Sequence, residues 1–129
     1  MIMTIKAQLD QLRETSFGCV LTAFGDLSSG LILRSSSETP VPREVLDALC
    51  DDATRSLAVA SRHTRPDATA ASVYGTSVVS FTAQRSHVFV RHDPEAGDLI
   101  CAVIEKAQAI APVLQSARET AARIAEAGS

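Results

Sequence analysis

The stretch from Thr76 to Glu105, TSVVSFTAQRSHVFVRHDPEAGDLICAVIE, constrains this chain most, because it holds three β-prone runs separated by two polar turns. Val78, Val79 and Phe81, then Val88, Phe89 and Val90, then Leu99, Ile100, Cys101, Val103 and Ile104 are mainly β-branched or aromatic residues, which suit a pleated, half-buried surface. Gln84-Arg85-Ser86 is short enough for a hairpin connection. Asp93-Pro94-Glu95-Ala96-Gly97 joins a fixed φ at proline to a permissive glycine. A sheet needs covering, so the remaining sequence is read for what can lie on it.

From Thr4 to Glu14, Ile5, Leu9 and Leu12 recur at helical spacing with Thr4 as N-cap; so short a helix is stable only against another surface. Phe17 to Phe24 is almost continuously apolar, as expected of a strand covered on both faces. The turn cluster Gly25 to Gly30 leads to a second, shorter strand, Leu31 to Arg34, and Ser35 to Pro42 forms a polar connection. Arg43 to Arg62 is predicted as a helix, with Val45, Leu46, Leu49, Ala53, Leu57 and Ala60 on one side. Pro66, within His63 to Thr69, ends it. A last helix carries Ile110, Val113, Leu114, Ala117, Ala121 and Ile124; Pro112 belongs in its first turn, so the helix starts near Ala109 and stops at Gly128.

The predicted order is helix, strand, strand, helix, three strands, helix: one α+β domain over residues 1–129, with a five-stranded antiparallel sheet covered by helices on both faces. A chain of 129 residues can bury roughly two thirds of its unfolded surface. With 46% apolar residues but only 4% aromatic, its core is aliphatic, with Phe17, Phe24, Phe81 and Phe89 as its few large rings.

Chemistry-bearing patterns are absent. The net charge is -3 and the two Lys and ten Arg are scattered, which argues against a nucleic-acid partner. Cys19, Cys50 and Cys101 each lie inside apolar runs and are expected as reduced, buried thiols. His87 and His92 are five apart, which sends them to opposite faces of a regular strand, so they cannot chelate one metal and are read as solvated strand-end residues. Neither Lys6 nor Lys106 follows a glycine-rich loop, and Gly25 to Gly30 lacks nucleophile-elbow spacing. Asp51 and Asp52 are read as a solvated pair on a helix, and Arg62, Arg65, Arg85 and Arg91 as separate solubilising charges. No catalytic residue, cofactor or metal is therefore expected. No run of about 18 apolar residues suggests a membrane span, and the expected location is cytoplasmic.

The order and spacing resemble the roadblock/dynein light chain family from Ile5 to Ile124. The likeness rests on a short leading helix, the hairpin FGCVLTAFGDLSSGLILR with Gly30 before its second strand, the helix REVLDALCDDATRSL, and the ending DLICAVIEKAQAIAPVLQSARETAARI. Ser28-Ser29 in the hairpin turn and the long connection from Ser35 to Pro42 depart from the pattern. The resemblance implies a non-enzymatic homodimer that acts as an adaptor or as a regulator of a small Ras-like GTPase. In such a dimer the third strands, here Ser77 to Ala83, pair into one continuous sheet while the central helices lie side by side. Val78, Val79 and Phe81 on the strand, with Leu46, Leu49, Ala53 and Leu57 on the helix, are the expected interface. The alternative is a sensor-type domain that binds a small ligand in a pocket between helix and sheet, though the few aromatics do not favour it.

Overall fold

The computed structural model describes residues 3–62, 77–93, 95–105 and 110–127. The expected break at His63 to Thr69, the start at Ala109, the stop at Gly128 and Lys106 lie outside the described residues.

Helix α1 spans Ile5–Thr15 and begins where the sequence places it, because Thr4 Oγ1 accepts from the Ala7 N–H at 3.1 Å and satisfies an otherwise unpaired donor of the first turn. Strand β1 covers Cys19–Asp26 and β2 covers Leu31–Ser37; helix α2 covers Arg43–Arg62; β3, β4 and β5 are Ser77–Phe81, Ser86–Val90 and Asp98–Ile104; helix α3 is Ile110–Ala127. The five strands form one antiparallel sheet in the order β2-β1-β5-β4-β3, so the chain's second and third strands are its two edges.

Period-two alternation builds two cores from one sheet. Leu21, Ala23, Phe89, Leu99, Cys101 and Val103 point to the side covered by α2, where Leu46, Leu49, Cys50, Ala53 and Leu57 meet them. Phe24, Val88, Val90, Ile100, Ala102 and Ile104 point the other way, onto α1 through Leu9 and Leu12 and onto α3 through Val113, Ala117, Ala121 and Ile124. A short α1 holds here by packing and by buried polar links, among them Thr22 Oγ1 donating to the Leu9 carbonyl at 2.8 Å.

The β1–β2 hairpin bends at a register shift between Phe24 and Gly25. A Cβ on Gly25 would lie 3.0 Å from Ile32 Cδ1 and 3.2 Å from the Leu31 carbonyl, so the close approach of the two strands needs glycine. Gly30 closes the turn at φ 71, with its N–H donating to the Asp26 carbonyl at 2.9 Å.

Several expectations are corrected. Gly25 and Asp26 belong to β1, which starts at Cys19 and not at Phe17. Phe17 is 73% exposed in the α1–β1 turn, where Gly18 takes a left-handed φ, and Phe81 is 67% exposed at the end of an edge strand, so the core's buried rings are Phe24 and Phe89. Ser35, Ser36 and Ser37 continue β2 instead of opening the connection. Ser36 is buried because it joins β2 to α1, donating from Oγ to Asp10 and accepting from Arg13 Nε at 2.9 Å. The third strand stops at Phe81 because Thr82 folds back, its N–H donating to the Arg85 carbonyl at 2.8 Å and its Oγ1 accepting from the Arg85 N–H at 3.1 Å. Val45 lies outward on α2, away from the buried stripe.

Candidate functional site

The outer side of β3 has no strand beside it among the described residues. Its register with β4 runs from Ser77 opposite Val90 to Phe81 opposite Ser86, and Arg118 of α3 anchors its start by donating to Ser77 Oγ at 2.8 Å. Val78 packs on the α2 side, Val79 on the α1 and α3 side, and Phe81 projects into solvent. The strand carries no proline and no charge, the devices that usually blunt an edge.

Beside this edge, α2 turns a second stripe outward. Val45, Asp52 and Val59 recur at seven residues, an interval that returns nearly to the same side of a helix. Both valines are exposed. An open groove of ≈ 350 Å³ runs between this stripe and the strand, lined by Asp52, Arg55, Ser56 and Val59 from α2 and Val78, Val79 and Ser80 from β3. Its polar floor is fixed. His87 Nδ1 lies 2.9 Å from Asp52 Oδ2, the Ser56 hydroxyl donates to Asp52 Oδ1 at 3.3 Å, and the His87 ring meets the edge of Phe89 with centroids 5.9 Å apart. His87 is therefore a half-buried strap between β4 and α2, not a solvated residue at a strand end.

The expected interface residues divide into two groups. Val78, Val79 and Phe81 are on the open edge. Leu46, Leu49, Ala53 and Leu57 are buried against the sheet within this chain. A helix on this sheet needs one apolar side for the core, and these four residues fill it. Composition hides the outward stripe, because Asp52 reads as an ordinary solvated charge and Val45 as part of the inner side; the seven-residue spacing of Val45, Asp52 and Val59 is the signal that marks it.

All three thiols are free; burial raises the Cys19 and Cys50 thiols above their ordinary range and the Cys101 thiol well above it, which suppresses the reactive thiolate. Among the described residues no group of three His, Cys, Asp or Glu side chains could hold a metal ion, and no helix is long and apolar enough to cross a membrane. Arg85 reaches Glu105 at 4.0 Å, and the charges of Arg91 and Asp93 interact, so these two arginines serve local pairs.

No protein-family model and no curated protein sequence matches the chain. Solved structures do. A Roadblock/LC7 domain from Streptomyces avermitilis superposes with TM-score 0.70 at 9% identity, covering 95% of each chain. The gliding protein MglB from Thermus thermophilus gives 0.63 at 15% identity over 98% of this chain and 95% of the other. An MglB in a tetrameric arrangement gives 0.63 at 12% identity, over 98% and 96%. The order α-β-β-α-β-β-β-α, the edge position of the third strand and these whole-chain superpositions together make the fold of this chain the roadblock/LC7 fold.

Proposed function

We propose that this protein is a non-enzymatic homodimeric adaptor or regulator, and that its partner is a small Ras-like GTPase. The observation that carries the reading is the continuity of β3's uncovered edge with the outward stripe of α2. Val78 and Val79 line the groove bounded by Val59, and Phe81 stands exposed at the end of the same strand. In the proposed dimer two copies of Ser77–Phe81 pair antiparallel, which satisfies the outer backbone groups of both strands, and the α2 helices meet through Val45, Asp52, Ser56 and Val59. Leu46, Leu49, Ala53 and Leu57 act from behind by fixing α2 on the sheet. Support also comes from the neighbour of the same fold found in a tetrameric arrangement. The GTPase partner follows from the family likeness of the sequence.

Light scattering over a dilution series tests the first half: a concentration-independent mass near twice 13.6 kDa is expected, and a monomer at all concentrations overturns the reading. Co-elution with purified Ras-like GTPases, each loaded with GDP or with a non-hydrolysable GTP analogue, tests the second. Binding that depends on the nucleotide is expected; a dimer indifferent to every GTPase in both states would leave an adaptor for a different class of protein.

A further inference from the structure

At the end of the sheet formed by the last residues of β1 and the first of β5, the core facing α1 and α3 is not closed. A cavity of ≈ 300 Å³ opens there, within the size range of small-molecule sites. Its floor is apolar, made by Phe24 of β1, Ile100 of β5 and Ala121 and Ile124 of α3; its rim carries Asp98 and, from the turn after β4, His92 and Asp93. Phe24, Ala121 and Ile124 keep 7%, 7% and 8% of their surface exposed, while every other member of that core cluster keeps 3% or less. The opening is therefore local to the cavity.

The rim has an electrostatic peculiarity. Asp98 stands directly opposite Asp26 across the β1–β5 ladder, an arrangement of like charges that disfavours pairing. Asp26 Oδ1 lies against Gly97 on the same rim, 3.4 Å from where a Cβ would sit, and accepts from the Ser28 N–H at 3.2 Å. Neither carboxylate forms an ion pair with a cationic side chain among the described residues. Asp93, by contrast, shares its field with Arg91. Asp98 on the rim, faced across the ladder by a second carboxylate and without a counter-cation among the described residues, stands above an apolar floor and matches one kind of guest.

We propose that this cavity binds a small amphiphilic cation, with an aliphatic or aromatic body on Phe24, Ala121 and Ile124 and a protonated amine at Asp98. The ammonium relieves the Asp26–Asp98 repulsion and donates its remaining hydrogen bonds to His92 or water. This site faces away from α2 and is independent of the dimer reading.

The test uses three probes with the same eight-carbon body, octylammonium, octanol and octanoate, titrated into the full chain and followed by backbone and methyl NMR shifts. Octylammonium is expected to saturate shifts at Phe24, Ile100, Ala121 and Ile124 with an affinity about tenfold above octanoate, the difference one charge contact makes near a surface. Asp98→Asn is expected to remove that preference while octanol binding stays. Ala125→Phe, on the partly exposed rim of α3, is expected to block all three probes with the rest of the spectrum unchanged. Shifts scattered outside the cavity, equal affinity for the three probes, or a preference that survives Asp98→Asn would each overturn the proposal.

Discussion

The two edges of the sheet are built in opposite ways. Along β2 the Ile32 carbonyl accepts from Arg43 Nη1 at 2.9 Å and the Leu33 carbonyl from Arg34 Nη1 at 2.8 Å, so guanidinium groups engage two of its backbone acceptors. The shift at Phe24 and Gly25 bends that edge, and Ser36 fastens it to Asp10 and Arg13 of α1. Exposed Leu31 and Leu33 thus lie on an edge that is bent and partly capped, features that blunt a template for a new strand. Along β3, residues Val78 to Phe81 show no such capping by side chains among the described residues, no bend and no charge. A bare edge is a hazard in a monomer and an asset in an assembly. The difference teaches that exposed apolar area alone does not distinguish the two edges; the state of the backbone groups beside it does.

The largest expected effect separates the inner side of α2 from its outer side. Leu49→Asp places a carboxylate among Leu21, Cys101 and their neighbours and removes a large aliphatic group, a loss of at least about 3 kcal/mol from a total that for such domains is about 5–15 kcal/mol. Urea unfolding should show a strongly lowered midpoint or no cooperative transition. A stable, folded Leu49→Asp monomer would instead return the inner stripe to the interface and break the assignment of α2's two sides.

Phe81→Arg comes next and acts on assembly, not on the fold. Phe81 touches little of its own protomer, so circular dichroism and the monomer's unfolding should change by at most about 0.5 kcal/mol. The proposed dimer should weaken by about 2 kcal/mol or more, a shift of about thirtyfold in dissociation constant, because two like charges would be brought onto a strand pair meeting across a two-fold axis. Analytical ultracentrifugation reads both states; a dimer of unaltered affinity would remove β3 from the interface. The contrasting experiment uncaps the other edge. Arg34→Ala with Arg43→Ala frees the Ile32 and Leu33 carbonyls, and weak concentration-dependent association beyond the dimer should appear in light scattering. If the size distribution is unchanged, the bend alone protects β2.

Much of this contrast was legible in the residues. Arg43 to Arg62 is the helix its stripe of Leu46, Leu49, Ala53 and Leu57 predicts, and the three runs from Ser77 to Ile104 are strands within a residue or two of expectation. What composition cannot state is which apolar side of an element faces what. Val45 and Leu46 are neighbours of similar character, yet one is outside and one inside, because α2 settles on the sheet through only one set of i, i+3 and i+4 positions. Ser35 to Ser37 read as a connection because a serine carries no sign of burial; only the partners Asp10 and Arg13, more than twenty residues earlier, make Ser36 an interior position. Phe17 and Phe24 differ for the same reason. The cavity rim was invisible as well, since it requires knowing that Asp26 and Asp98 stand opposite each other.

The smallest effect tests how β2 is fastened. Asp10 is held below the ordinary aspartate value of 3.8, first by the hydrogen bond from Lys6 Nζ at 2.7 Å and then by that from Ser36 Oγ. A folded-state value lower than the unfolded one means that the unfolded chain takes up the proton first as pH falls. The stabilisation is thus complete above about pH 5, begins to fade near 3.8 and is gone once the pH has passed below the depressed value. The Asp10 carboxylate is in contact with solvent, so the gain is small and partly screened. The difference in urea midpoint between the native protein and Asp10→Asn should therefore be measurable at neutral pH and vanish at the acid end. Added salt distinguishes the two contributors, since it screens the exposed Lys6 pair but not the hydrogen bond to the buried Ser36 hydroxyl. A difference that survives about 1 M salt assigns it to the tie between α1 and β2; one that disappears means the β2 edge is held by its arginine caps and its bend alone.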